Sequence, residues 1–369
     1  MSAPAVKFAK SGPFTRDIKT AVNEYLERPG VRAKAYRQIQ IKAVIIGLWS
    51  VSSYLALVFV ASNWWQVVAS GLSLALSIDA IGFNIMHDGN HGGFSPHQKL
   101  NRAAGYTLDP LGGSSYVWLV KHNIAHHTYT NIESYDEDIQ LAPLGRMSST
   151  QEWHSYHRYQ KLYLFFFYGF MSIRWQLVND IRTLRKGKVG ESRIPWPKGW
   201  DLFGLVTGKL IFISLAVILP LVTHWSWLGV VEYVGTFIGV SWVFSFVLAL
   251  TFQLAHCVDD ALFASPDEVD PTTGRLPMEW FEYQVRTTSD FCPQNRFITW
   301  YLGGLNYQTE HHLFSKETHI HYPALAGIVR QVCEQHNIPY MCQPTLGQAI
   351  GTHFRHLYNM GQPPQAVTQ

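Results

Sequence analysis

Seventeen histidines stand in this chain of 369 residues, and eight of them fall into four short clusters. His87 and His91 lie in HDGNH, and His122, His126 and His127 in HNIAHH. His256 lies in QLAHCVDD, and His311 and His312 follow Gln308 in NYQTEHH. Residues four apart share a helix face. His87/His91, His122/His126 and Gln308/His312 have that spacing, so each cluster can aim two or three side chains at one point. Neutral imidazole binds Zn, Cu, Fe and Ni. A single zinc takes about four ligands, so eight imidazoles exceed one site and two metal ions are the simplest count. Hydrolytic zinc would bring HExxH, which is absent; the EHH of 310–312 has the wrong order and spacing. Redox iron suits a histidine-rich site with no hydrolytic triad beside it. The other nine, His97, His154, His157, His224, His319, His321, His336, His353 and His356, lack paired spacing at a helix end and read as packing or surface groups. Of these, His157, His319 and His321 are intermediate: each could also back up a ligand or touch a lipid head group.

The elements that position these clusters follow from hydropathy. Residues 43–86 contain one formal charge, Asp79, and residues 202–255 contain two, Lys209 and Glu232. A membrane-crossing helix needs about 20 mostly apolar residues, so each run holds two spans and a turn. Asn63, Trp64, Trp65 and Gln66 mark the first turn, and Pro220, His224, Trp225 and Trp227 the second, with Trp placed where an interfacial belt wants it. A pair of buried hairpins in a soluble enzyme is the competing reading, and runs this uncharged disfavour it. Lys and Arg crowd 1–42, 87–201 and 256–369 and avoid both turns, which puts those three segments in the cytoplasm. All four clusters then meet on one side, where the helices leave the bilayer. Residues 15–28 read as an amphipathic helix with Ile18, Ala21, Val22, Tyr25 and Leu26 on one face, not as a signal peptide. Residues 162–178 are apolar but contain Arg174, and fit a helix lying in the interface better than a fifth span.

The expected architecture is an all-α integral membrane protein, four transmembrane helices as two hairpins with a cytoplasmic helical cap holding a di-metal site. It forms one domain over 1–369: an N-terminal helical segment (1–42), first hairpin (43–86), first cap segment (87–201), second hairpin (202–255), second cap segment (256–360) and a tail (361–369). The bulk numbers agree. Mean hydropathy is near zero, yet 47% of residues are hydrophobic and 15% charged, too few charges for a disordered chain. A net charge of +3 gives no field for nucleic acid, and four Cys make no disulfide scaffold. Cys257, Cys292, Cys333 and Cys342 all fall on the reducing side.

HDGNH, HNIAHH and QTEHH, in that order around two hairpins, resemble the three histidine boxes of membrane fatty acid desaturases. GYTLDPLGGSSYVWLVKHNIAHHTYTNIESYDEDI and NRFITWYLGGLNYQTEHHLF are similar to the bacterial linoleoyl-CoA-type and front-end (delta-6-like) desaturases, over roughly 83–340. Gln308, where many desaturases have His, marks the front-end branch. The resemblance implies two Fe ions held by His87, His91, His122, His126, His127, His256, His311 and His312, with Gln308 near them as a weaker donor. It implies O2 as co-substrate and removal of two hydrogens from a long acyl chain carried by a lipid, CoA or acyl carrier protein. Front-end enzymes of eukaryotes usually carry a fused cytochrome b5 domain with an HPGG motif; none occurs here. Electrons are therefore expected from a separate donor, ferredoxin or cytochrome b5, with its reductase. Membrane lipids are the remaining expected partners, and a bacterial inner (plasma) membrane with the site facing the cytoplasm is the expected location.

Three further expectations concern neighbours of the boxes. Asp88, Asp136, Glu137, Asp138, Asp259, Asp260 and Glu310 are candidates for orienting imidazoles by accepting their second ring N–H. Lys121, Arg158, Arg182, Arg185 and Lys186 read as ordinary positive-inside charge, with a phosphate-bearing head group as the alternative. The same centre also suits an acyl hydroxylase or acetylenase. A histidine-rich metal transporter fits less well, because Asp79, Lys209 and Glu232 sit at different depths of the runs.

Overall fold

The computed structural model describes residues 6–223, 227–265, 268–270 and 272–364. His224 and Trp225 of the second turn, and the end of the 361–369 tail, lie outside the described residues. Among the described residues four helices are long and apolar enough to cross a membrane: Val31–Val60, Trp64–His91, Trp200–Thr223 and Gly229–His256. The first span packs along the second, and the second along the fourth. Their outer faces leave Leu48, Phe59, Leu210 and Val222 exposed. Rows of exposed apolar side chains like these are tolerated where lipid replaces water. The multi-pass expectation therefore holds, and so does the all-α class.

The helices are longer than the apolar runs that announced them. The first begins at Val31, because Ala35, Ile39 and Lys42 are already buried against neighbouring elements. The second does not stop before HDGNH but continues through it, so His87 and His91 sit in its last turn. Gly92, at φ 86°, ends it in the left-handed conformation that favours glycine. The fourth likewise runs to His256.

The polar remainder forms the cap. A helix at Pro13–Leu26 starts slightly before the expected residue, with Pro in its first turn, where a missing N–H costs nothing. The Glu279 carboxylate accepts from Gly12 N–H at 2.5 Å and from the Thr15 hydroxyl at 2.8 Å, capping that end. Its face of Phe14, Ile18, Val22 and Leu26 is buried, partly against Val329 and Val332 of the helix Tyr322–Gln335. The apolar stretch at 162–178 is not one helix. It breaks at Gly169 and Phe170 between Gln160–Tyr168 and Met171–Arg174. A Cβ at Gly169 would collide with the Trp242 indole of the fourth span. The Ser172 amide donates to Ser245 Oγ at 2.9 Å, tying the segment to that span. Among the described residues, three two-stranded ladders stitch loops together. Lys7–Ala9 pairs in parallel with Arg275–Glu279, Asp290–Phe291 in parallel with Cys342–Gln343, and Lys188–Val189 antiparallel with Ser192–Arg193.

Candidate metal centre

All eight clustered histidines converge, and all are at most 8% exposed. Four elements bring them there with different windings, the fourth span supplying His256 from its last turn. His87 and His91 are one α-turn apart, with ring centres 4.7 Å from each other, just after a π-helical turn at Gly82–Met86. Leu119–His126 is π-helical, a departure from the plain α-helix implied by four-residue spacing. The wider turn brings positions five apart onto one side as well. His122 Nε2 and His127 Nε2 thus come within 3.1 Å, while the His122 and His126 rings stack at 5.2 Å. Gln308–Leu313 supplies His311 and His312.

The side chains define two foci. Ligand atoms of His87, His91, His122 and His311 lie within 4.8 Å of one another, and so do those of His126, His256 and His312. His127 sits between, grouped with His311 and His312 and stacked on His312 at 4.2 Å. Gln308 is fully buried, with its amide Nε2 2.9 Å from His256 Nε2. That nitrogen is a donor, so in this rotamer it approaches the His256 lone pair rather than a metal.

Outer partners fix ring orientation. His126 Nδ1 lies 3.0 Å from Asp136 Oδ2, and His312 Nδ1 lies 2.7 Å from Gln284 Oε1. His256 Nδ1 donates to the Thr287 carbonyl at 3.2 Å, and His311 Nδ1 lies 3.3 Å from the Tyr322 hydroxyl. With the proton held at Nδ1, the Nε2 lone pairs of His126, His311 and His312 are left for a metal, whereas that of His256 is met by the Gln308 amide. Burial drives His122, His127, His311 and His312 well below the ordinary imidazole range, and neighbouring imidazoles push the same way. They stay neutral, the form that ligates. Burial also lowers His126, but the Asp136 charge and hydrogen bond, with Asp138, outweigh it and hold that ring above its ordinary value. Burial pushes the Cys257 thiol up, away from a ligating thiolate.

Of the carboxylates expected as orienters, Asp136 bonds a clustered histidine directly. Asp138 stands 3.6 Å from His126 and pairs with Lys121 at 2.9 Å. Asp88 faces His87 Nδ1 at 3.8 Å and bonds His319. Glu137 instead meets the Gly190 amide and Lys186, and Asp259 meets Arg355 and Asn359. Asp260 is exposed. Glu310 is buried but turns away, accepting from Tyr340 at 3.0 Å. Gln284, Thr287 and Tyr322 have no counterpart among the expectations. An amide, a main-chain carbonyl and a phenol carry no spacing that would single them out. Trp118, stacked on His122 at 4.3 Å, was missed for the same reason. Of the other histidines, His157, His353 and His356 satisfy main-chain carbonyls away from the foci, and His336 pairs with Asp17. A surface cleft lined by Trp280, Leu313, Phe314, Lys316 and Glu317 has His312 in its wall.

Four apolar spans and a cap whose buried imidazoles gather at two foci define a multi-pass membrane protein with a histidine cluster that fits a metal site. Residues 62–344 match the sequence profile described as fatty acid desaturase, and the chain belongs to that family. It is a desaturase, an oxidoreductase. The chain is 37% identical over 363 residues to the sn-1 linoleoyl-lipid 6-desaturase of Arthrospira platensis, covering 98% of this chain and 96% of that one. It is 33% identical over 365 residues to the protein of the same name from Synechocystis sp., covering 98% and 99%. Identity to the acyl-lipid (8-3)-desaturase of Physcomitrium patens is 31% over 363 residues, covering 96% of this chain and 72% of that one.

Proposed function

We propose that the chain is an O2-dependent di-iron acyl-lipid desaturase that introduces a cis double bond into a long acyl chain of a membrane lipid. One observation carries the metal assignment. The Nε2 atoms of His87, His91, His126, His311 and His312 are buried without a hydrogen-bond partner. Orphaned buried nitrogens are rare because each loses its hydration, and one cation at each focus accounts for all five. His122, His127 and His256 complete the ligand set, and Gln308 stands beside it as a hydrogen-bonding neighbour of His256. Nitrogen ligation of this kind suits iron, and HExxH is absent. The relatives' names support a lipid-borne acyl substrate.

The overall change balances as –CH2–CH2– plus O2, two electrons and two protons giving –CH=CH– and two waters. Bound iron would supply the O2 activation that no side chain can. The protein's part is positional. Asp136, Gln284, Thr287 and Tyr322 hold Nδ1 protons so that ring orientation is set before metal arrives. The buried cluster keeps bulk water away from the reacting carbons. Burying the acyl chain among apolar side chains would favour binding by about 0.8 kcal/mol per CH2. Electrons come from a separate one-electron carrier, a ferredoxin or cytochrome b5 type with its reductase. The preference of Lys and Arg for the cap side supports a cytoplasm-facing site in a bacterial inner membrane.

Expression in a host of defined fatty acid composition, read by gas chromatography–mass spectrometry, tests this. Loss of two hydrogens at one chain position supports desaturation. Gain of one oxygen instead would mean hydroxylation, and unchanged lipids with an active donor system present would overturn the proposal.

A further inference from the structure

Lys42 belongs to the basic N-terminal segment that sets membrane orientation, yet it is only 5% exposed. Its Nζ lies 2.9 Å from His319 Nε2 and 5.2 Å from the Trp300 ring centre. His319, in the turn His319–His321, reaches Asp88 Oδ2 with its Nδ1 at 3.0 Å, and its backbone N–H donates to the same oxygen at 3.1 Å. The other oxygen of Asp88 faces His87 Nδ1 at 3.8 Å. Asp88, His319 and His87 are each 2% exposed. The first span, the HDGNH turn and the loop after QTEHH thus meet in one buried line that ends on His87.

With Lys42 charged and Asp88 ionised, the line takes one proton arrangement. An ammonium only donates, so His319 Nε2 accepts from Lys42. Neutral His319 then carries its proton on Nδ1 and donates it to Asp88. A buried carboxylate is costly unless paired, and Lys42 supplies the opposite charge one imidazole away. That leaves the second Asp88 oxygen free to face His87 Nδ1, while His87 Nε2 is buried without a partner. We infer that Lys42 and His319 are positioning residues: with Asp88 they form a charge-compensated strut that holds a carboxylate beside His87 and sets its orientation. The inference rests on the reading of His87 as a metal ligand. Neither Lys42 nor His319 touches the reacting atoms.

The test is chelator competition for Co(II) on the detergent-purified full chain, with the Co(II) absorption spectrum and the melting temperature read in parallel. Lys42→Met and His319→Ala are expected to weaken one metal-binding step about 10–100-fold and to shift the spectrum. Lys42→Arg, which keeps the charge, is expected to restore most of the affinity. His356→Ala removes a buried imidazole that bonds the Met147 carbonyl; it should lower the melting temperature and leave affinity and spectrum unchanged. If His319→Ala does not fold, Lys42→Met, with a similar chain length and no charge, decides. Wild-type affinity and spectrum in Lys42→Met would overturn the strut. Unchanged affinity in His87→Ala would overturn the ligand reading itself, and an effect there without one in Lys42→Met overturns the strut alone.

Discussion

Replacing Asp136 with Asn changes one atom and isolates what its charge does for the metal centre. Asp136 is 1% exposed, and three groups converge on it. His126 Nδ1 and the Asn131 amide meet Oδ2, each at 3.0 Å, and the Asp138 amide meets Oδ1 at 2.9 Å. An Asn can turn its oxygen toward His126 and Asn131, but its NH2 then faces the Asp138 N–H, donor against donor. An unmade buried hydrogen bond costs about 1–3 kcal/mol, so folding stability should fall by about that much. The metal effect is separate. Carboxylate partners of ligating histidines typically account for about 10–100-fold in metal affinity, or about 1.4–2.7 kcal/mol. The melting temperature of purified apo-protein reads the first effect, and chelator competition with Fe(II) under anaerobic conditions reads the second. A folded Asp136→Asn protein with wild-type iron affinity would refute the role given to His126 and its partner.

Two other predictions concern the frame around the site. Gly89 of HDGNH lets the helix Gln98–Gly105 approach, and a Cβ there would lie 2.5 Å from the Gly105 amide and 2.8 Å from the Ala104 carbonyl carbon. Gly89→Ala should cost about 1–3 kcal/mol by overpacking and lower metal occupancy, measured by thermal melting and metal analysis; an unshifted melting temperature would contradict the close approach. Burial raises Asp109 from 3.8 to about 7, against a partly offsetting bond from the Ser115 amide. Its folded value exceeds the unfolded one, so its contribution is present at low pH and lost as pH rises through about 7. Asp109→Asn should therefore melt higher than wild type at pH 8, and the gap should shrink toward pH 6; a constant gap would contradict this.

Much of the site was legible because its chemistry uses residues that are rare in apolar surroundings. The near absence of charge in 43–86 and 202–255 made the hairpins visible; two histidine clusters stood at their polar ends and two in the segments on the same side. What spacing alone concealed was winding. His122 and His127 meet because Leu119–His126 is π-helical, and a π-turn has no residue code. Helix ends also escaped hydropathy. His87, His91 and His256 complete the spans, because neighbouring segments rather than lipid surround those last turns. Partners from distant segments were the least visible. Gln284 reaches His312, and Lys42, which counts in sequence as an orienting surface charge, is buried against His319. Only tertiary packing brings such pairs together.

The central claim is that the eight clustered histidines hold the metal that performs desaturation. Metal analysis of the purified wild-type chain beside His126→Ala, with lipid double bonds scored in the same cells, tests it most directly. The account predicts about two irons per wild-type chain, and loss of both iron and product in the variant. Fewer than about one iron per wild-type chain, with desaturation surviving in His126→Ala, would contradict it.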